Sequence, residues 1–156
     1  MNATELFFDT IRKGLNDRLE LQIGNNPEVV NTKDSRGFTP LIFATYFGNE
    51  TAAKILLDNG VHIDAKDASG NTALLGVSFK GNIVLAETLI KHGADINAGN
   101  NTDTTPLIFA AMYNQKDMVD YLLSKGADKF LKDQSGKTAL DHAMEKQFNE
   151  VANLLK

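Results

Sequence analysis

Three histidines are among the side chains of this sequence that could act as general bases or metal ligands. They are His62, His92 and His142, and no serine–histidine–aspartate arrangement, phosphate-binding glycine loop or pair of histidines at helical spacing accompanies them. His92 precedes a glycine at the end of a predicted helix, where a partial positive charge interacts favourably with the helix dipole. The histidines therefore predict no catalytic site.

A series of aspartates could bind a cation if the fold brought the carboxylates together. They recur in loop segments, at Asp64, Asp67, Asp95, Asp128 and Asp133. Packed helix units lie about 8 to 10 Å apart, whereas oxygen ligands of one calcium ion lie within about 2.6 Å of it. Aspartate is also a frequent turn-forming residue, so we interpret this series as turn residues and expect no metal or other cofactor.

A period of 33 residues organises the elements that position these side chains. Two columns of residues that keep this step are Thr39, Thr72, Thr105 and Thr138, and Leu41, Leu74, Leu107 and Leu140. Further leucines and Gly60, Gly93 and Gly126 keep it too. A repeat of 20 to 50 residues is typical of stacked-repeat proteins, so the sequence predicts an array of similar units.

Each unit is predicted to contain two short helices. In the first full unit, Thr39 can cap the first helix with Pro40 in its opening turn, and Gly48 can end it. Asn49 can cap the second helix, which closes at Gly60. A helix of about two turns is unstable alone, so the units must stabilise one another by stacking.

The repeated motif resembles that of ankyrin repeats. Its first copy comprises Asp34, Gly37, Thr39-Pro40-Leu41, Ala44, Gly48, Leu56-Leu57 and Gly60, and three more copies follow. The resemblance covers residues 31 to 156 and implies a mainly α-helical ankyrin-repeat solenoid of helix-turn-helix units with β-hairpin-like fingers. We expect one domain of about five units: an N-terminal cap at 1–30, repeats at 31–66, 67–99 and 100–132, and a C-terminal capping repeat at 133–156.

The N-terminal cap lacks the Thr-Pro-Leu motif. Asn2 and Glu5 resemble a capping box. The apolar residues predicted for its two helices are Leu6, Phe7, Phe8 and Ile11, followed by Leu15, Leu19, Leu21 and Ile23.

Two departures from the family pattern predict local differences. The histidine that usually follows Thr-Pro-Leu is replaced by Ile42, Leu75, Ile108 and Asp141. We expect apolar packing in place of that polar link. Gly76 stands where other units have Phe43 and Phe109, which predicts either a void or a close approach of backbones.

An aromatic strip is the strongest candidate site. In ankyrin proteins the end of the first helix lines the concave groove, and the residues after the turn glycine lie at the base of the fingers. The candidate partner-binding residues are Phe38, Tyr46, Phe47, Phe79, Met112 and Tyr113 of this strip, flanked by Arg36 and Lys80. Aromatic residues, Met and Arg are enriched in interface cores. The alternative is that several of these rings fold back onto neighbouring helices.

Composition excludes several classes of function. The net charge is −4, from 16 basic and 20 acidic side chains. These are spread along the chain, which disfavours nucleic-acid binding. No apolar run is long enough to span a membrane, and the N-terminus lacks a signal-peptide pattern. A cytoplasmic monomer is expected.

We therefore predict a non-catalytic protein–protein interaction module. Its unidentified protein partner would bind the concave groove and finger tips. A more specific form of this prediction is that the chain acts as an adaptor or an inhibitor. The alternatives are a small-molecule binder or enzyme with its site in the groove, and a fragment of a larger ankyrin protein.

Overall fold

Short α-helices in pairs make up the molecule. The computed structural model describes residues 1–156 and contains ten α-helices, one 3-10 helix at Pro27–Asn31 and no β-strand. The α-helices are α1 (Ala3–Lys13), α2 (Asn16–Asn25), α3 (Pro40–Tyr46), α4 (Glu50–Asp58), α5 (Ala73–Lys80), α6 (Ile83–Lys91), α7 (Pro106–Met112), α8 (Lys116–Ser124), α9 (Ala139–Glu145) and α10 (Asn149–Leu155). No helix is both long and apolar enough to cross a bilayer.

The repeated step of 33 residues gives helices α3, α5, α7 and α9 the same type of N-terminal cap. A hydroxyl oxygen accepts a hydrogen bond from the backbone N–H three residues on at Thr39, Thr72, Thr105 and Thr138. The chain leaves these helices through the left-handed region, with φ of 68° at Gly48, 74° at Gly81, 56° at Asn114 and 61° at Gln147. The predicted helix starts, and the predicted stop at Gly48, are confirmed.

The helices stack in two rows. The inner row contains α1, α3, α5, α7 and α9, each packed on the next, and the outer helix of each unit packs against its inner partner. One continuous apolar core runs from Phe7 to Leu155. Its repeated leucines are buried at Leu41, Leu74, Leu107, Leu56, Leu89, Leu122 and Leu155. The predicted solenoid of helix pairs is confirmed.

The first unit begins as predicted. The Asn2 side chain accepts a hydrogen bond from the backbone N–H of Glu5 at 2.8 Å, and the Glu5 carboxylate accepts one from the backbone N–H of Asn2 at 3.4 Å. The capping box is thus confirmed. Phe7, Phe8 and Ile11 are buried, whereas Leu6 of the predicted apolar set is 41% exposed.

The apolar face predicted for α2 is only half right. Leu19 and Ile23 are buried, but Leu21 is 70% exposed and Leu15 lies before the helix begins. Residues four apart share a helix face, whereas Leu21 lies two residues from each buried neighbour and therefore faces solvent.

Apolar packing does replace the usual polar link between units. Leu75 and Ile108 are buried, and Ile42 is half-buried against the core. At the equivalent position of the last unit, Asp141 is exposed and completes a capping box with Thr138. The prediction for the inner units is confirmed.

The fingers are tight turns, so the β-hairpin detail of the prediction is not confirmed. In the first finger, the backbone N–H of Gly37 donates to the carbonyl of Asp34, and the N–H of Asp34 donates to the carbonyl of Phe38. The Asp34 carboxylate also accepts the backbone N–H groups of Arg36 and Phe38. A side chain therefore takes donors that a strand would need for pairing.

The carboxylates of the other aspartates also accept hydrogen bonds from backbone N–H groups. Asp67 and Asp133 organise equivalent turns, and Asp95 and Asp128 each accept the backbone N–H two residues on. Asp64 accepts the backbone N–H of Asp95 in the next unit. The interpretation as turn residues is confirmed for Asp67, Asp95, Asp128 and Asp133, whereas the Asp64 carboxylate links two units. No group of His, Cys, Asp or Glu in the structure is arranged to hold a metal ion.

Candidate functional site

The exposed face of the inner row carries very few charges on its three central helices, α3, α5 and α7. We call this surface, with the bases of the fingers, the groove face. Helices α3, α5 and α7 together carry one charged side chain, Lys80. The outer helices carry three in α4, two in α6 and three in α8. Water-facing helices usually have polar outer surfaces, so the groove face is unusual for a surface that meets only solvent.

Four of the predicted site residues meet at one end of the groove face. Arg36, Phe38, Tyr46 and Phe47 line a cavity of about 350 Å³, whose remaining walls are Ile42 and Phe43. Five of these six side chains are apolar or aromatic. We call it the N-terminal cavity.

Arg36 is held at the rim of this cavity. Its guanidinium carbon lies 4.9 Å from the centre of the Phe38 ring and 5.8 Å from that of Phe43. The same guanidinium forms an ion pair with the Asp34 carboxylate at 2.9 Å. Burial raises the pKa of Asp34, but hydrogen bonds from the Phe38 and Arg36 N–H groups lower it more, so the net pKa is below its ordinary value.

Lys80 connects the second unit to the first. Its ammonium nitrogen lies 3.6 Å from the centre of the Tyr46 ring and donates a hydrogen bond to the Tyr46 carbonyl at 2.6 Å. That carbonyl is at the C-terminal end of α3, where a cation interacts favourably with the helix dipole. The lysine and the tyrosine are therefore fixed relative to one another across the repeat boundary.

A second aromatic cluster lies further along the groove face. The rings of Phe79 and Tyr113 meet edge to face with centres 4.4 Å apart, and Phe109 lies 6.1 Å from Phe79. Phe79 is 40% exposed and Tyr113 is 47% exposed. These rings pack on each other but still present area to solvent.

Met112 differs from its neighbours in the predicted strip. It is half-buried against the core, so its side chain contributes less to the exposed face. Its carbonyl accepts a hydrogen bond from the Lys146 ammonium at 3.1 Å, and this ammonium lies 5.4 Å from the centre of the Tyr113 ring.

Gly76 leaves an open notch between the two aromatic clusters. It is exposed, and a methyl group added to it would meet nothing within 4 Å. The equivalent positions in the neighbouring units carry Phe43 and Phe109. Of the two outcomes predicted for this glycine, the void is the one observed.

The rings of two histidines have structural partners. His142 of α9 is buried, with Nε2 2.6 Å from an oxygen of Asp133, which belongs to the last finger. His92 ends α6, and its Nδ1 lies 2.8 Å from the Thr88 carbonyl. His62 is exposed and donates its backbone N–H to Asn31.

Sequence reasoning missed three contributors to this surface. Phe43 and Phe109 join the aromatic clusters, and Lys146 adds a cation. Phe43 and Phe109 each lie four residues before a predicted strip residue, Phe47 and Tyr113, and residues four apart share a helix face. That spacing was the signal that could have identified them.

Comparison with known families gives one result. A family model described as ankyrin repeats in three copies matches residues 7–100 and also residues 75–156. The two matches overlap and together extend from the first helix to the last residue.

Proposed function

We propose that this chain, which belongs to the ankyrin-repeat family, binds a protein partner through the groove face and finger tips. Members of this family generally mediate protein–protein interaction and are typically non-catalytic. An adaptor or an inhibitor that occupies the surface of another protein fits this role. The candidate contact residues are the predicted strip together with Phe43 and Phe109.

The observation that carries this proposal is the exposure of large apolar side chains on one face. Tyr46 is 62% exposed, Phe47 47%, Phe79 40% and Tyr113 47%. Contiguous exposed apolar surface costs hydration free energy and marks interaction sites. Several of the rings are already held by neighbouring rings or by Lys80, which lowers the entropy lost on binding.

A small-molecule site or an enzyme is the weaker interpretation of the same face. A ligand pocket usually combines apolar walls with convergent polar groups that orient the ligand. The N-terminal cavity offers Arg36 as its one charged side chain, already paired with Asp34. This composition favours an apolar protein surface as the occupant.

We also propose that the protein acts as a cytoplasmic monomer that does not bind nucleic acid. The net charge of −4 and the low charge of helices α3, α5 and α7 support the absence of nucleic-acid binding. A shift of labelled DNA or RNA at physiological salt would overturn it.

Quantitative co-purification from native lysate tests the proposal. The variant Phe79→Asp with Tyr113→Asp places two carboxylates on the groove face, and we expect the specific partner to be lost. The matched control is Leu21→Asp with Val84→Asp, because these apolar side chains are 70% and 54% exposed on the outer helices α2 and α6. Equal loss of partners from both double variants, or from neither, would remove the groove face from consideration.

A further inference from the structure

Two lysines on the groove face have no carboxylate partner. Lys80 and Lys146 occupy the same position in their units, 66 residues apart. Each ammonium binds a carbonyl at the end of the preceding inner helix and lies against an aromatic ring there. Neither forms an ion pair with an aspartate or glutamate.

Two carboxylates of this region are already paired with other cations. Asp34 is paired with Arg36, and Glu145 accepts two hydrogen bonds from the Lys137 ammonium at 2.8 and 2.9 Å. Lys80 and Lys146 therefore keep unpaired positive charges at the ends of α5 and α9, although the whole chain is negative and Asp141 of α9 is also exposed without an ion pair. Charge complementarity at an interface then calls for carboxylates on the partner.

The two lysines alternate with aromatic residues along the stack. The same position in successive units is occupied by Phe47, Lys80, Tyr113 and Lys146. Apolar and cationic side chains thus alternate along the groove face, and the open notch at Gly76 lies in α5, four residues before Lys80. A complementary segment would present apolar and acidic side chains together on one side.

The groove face offers little backbone for a bound peptide to pair with. The structure contains no strand, and the finger backbones are bonded within their turns and to neighbouring fingers, as between the N–H of Asn101 and the Ser69 carbonyl. A buried extended peptide would leave its own N–H and C=O groups without partners. A helix satisfies those groups internally and presents only side chains.

We propose that the groove face receives an acidic amphipathic α-helix of a protein partner. Its apolar side chains lie against the aromatic strip and in the notch at Gly76, and its carboxylates meet Lys80 and Lys146. The lysines are two units apart, roughly 16 to 20 Å, if repeats are spaced like packed helices. That span corresponds to about 11 to 13 residues of helix lying along the groove. The inference rests on the proposed function and specifies its partner.

A displayed library of random 24-residue peptides, selected on the immobilised protein, tests this proposal. We expect the enriched peptides to carry net negative charge and apolar residues at helical spacing. The Phe79→Asp, Tyr113→Asp variant serves as the groove-deficient control in the same selection. Enrichment of basic peptides, or of peptides with alternating apolar residues, would overturn the acidic helix while leaving groove binding intact. If no selected peptide prefers the wild type over this variant, both proposals are contradicted.

Charge variants separate the role of the lysines from their role in packing. We expect Lys80→Glu with Lys146→Glu to lose the preference for acidic peptides, and Lys80→Arg with Lys146→Arg to keep it. Lys54→Glu is the matched control, because this exposed lysine lies on the outer helix α4. Circular dichroism and thermal unfolding establish that each variant is folded. An unchanged acidic preference in a folded double-glutamate variant would overturn the proposal.

The affinity of the most enriched peptide measures how much the two lysines contribute to binding. For a fluorescein-labelled copy, anisotropy should show Kd raised about 5- to 10-fold by Lys80→Gln with Lys146→Gln. The loss should shrink as salt is added, since exposed ion pairs are screened. A Kd unchanged by the substitution at low salt would contradict contact between the lysines and the acidic side chains.

Discussion

At the scale of residues, the cations of the groove face are fixed before any partner binds. Arg36 is held by Asp34 and two rings, and Lys80 by a carbonyl and a ring. Long basic side chains lose about 1.5 to 2 kcal/mol of conformational freedom when they are ordered. Because part of this cost is already met in the free protein, these side chains can contribute to recognition at a lower entropic penalty.

The buried pair of His142 and Asp133 makes the last unit sensitive to acid. Burial raises the pKa of Asp133, but hydrogen bonds from His142 and from the backbone N–H groups of Lys137 and Ser135 lower it more, so the net pKa lies below 3.8. A depressed carboxylate pKa contributes stability that is present above the unfolded value and is lost as pH falls through the folded value.

We therefore predict that Asp133→Asn destabilises the protein at pH 7 by about 1 to 3 kcal/mol, as expected for a buried hydrogen-bond network losing a member. Its unfolding free energy should depend less on pH than that of the wild type below about pH 4. Urea unfolding at several pH values measures both. Parallel pH profiles for wild type and variant would contradict the assignment.

Several residue roles could be predicted from the sequence because local chemistry determines them. Threonine before proline specified the helix starts, and aspartate specified the turns. Asn114 and Gln147 show where such reasoning stops. They adopt the left-handed conformation that Gly48 and Gly81 adopt in other units. Asparagine tolerates this conformation better than most residues do, whereas glutamine does not, so residue type alone does not specify it at Gln147.

At the scale of elements, the sequence predicted the helices better than the surfaces between them. The helix pairs follow from a period that recurs in each unit. The hairpin-like conformation expected for the fingers is not confirmed, because side-chain acceptors take backbone donors that strand pairing would need. The clusters around Phe43 and Phe109 depend on how far neighbouring units are offset, which one unit's sequence does not specify.

Helix α5 carries a glycine whose replacement gives a clear prediction. Gly76→Ala should raise the unfolding free energy by about 0.5 to 1 kcal/mol, because alanine favours helix and the added methyl group meets nothing within 4 Å. Thermal and urea unfolding measure this change.

Gly70→Ala is the matched control for that substitution. Gly70 has φ of 79°, and an added methyl carbon would lie 2.7 Å from the Asn101 backbone nitrogen, so this variant should be clearly destabilised. If Gly76→Ala lowers the unfolding free energy as much as Gly70→Ala does, the open notch at Gly76 is contradicted.

At the scale of the whole molecule, stability should be distributed along the array. Inner repeats pack on two neighbours, whereas the first and last units pack on one. Repeat proteins are stabilised by these nearest-neighbour interfaces, so terminal units open first. Hydrogen exchange followed by mass spectrometry should be slowest in α5 and α7 and fastest in the end units. Slowest exchange at residues 1–30 would contradict this prediction.

The central claim is that the groove face is the surface that meets a protein partner. A photo-crosslinking amino acid placed at Tyr113 in cells tests it most directly, with the same amino acid at the exposed outer residue Val84 as the control. The account predicts a specific crosslinked protein from position 113 and none from position 84. The same crosslinked protein from both positions, or a specific one from position 84 alone, would contradict it.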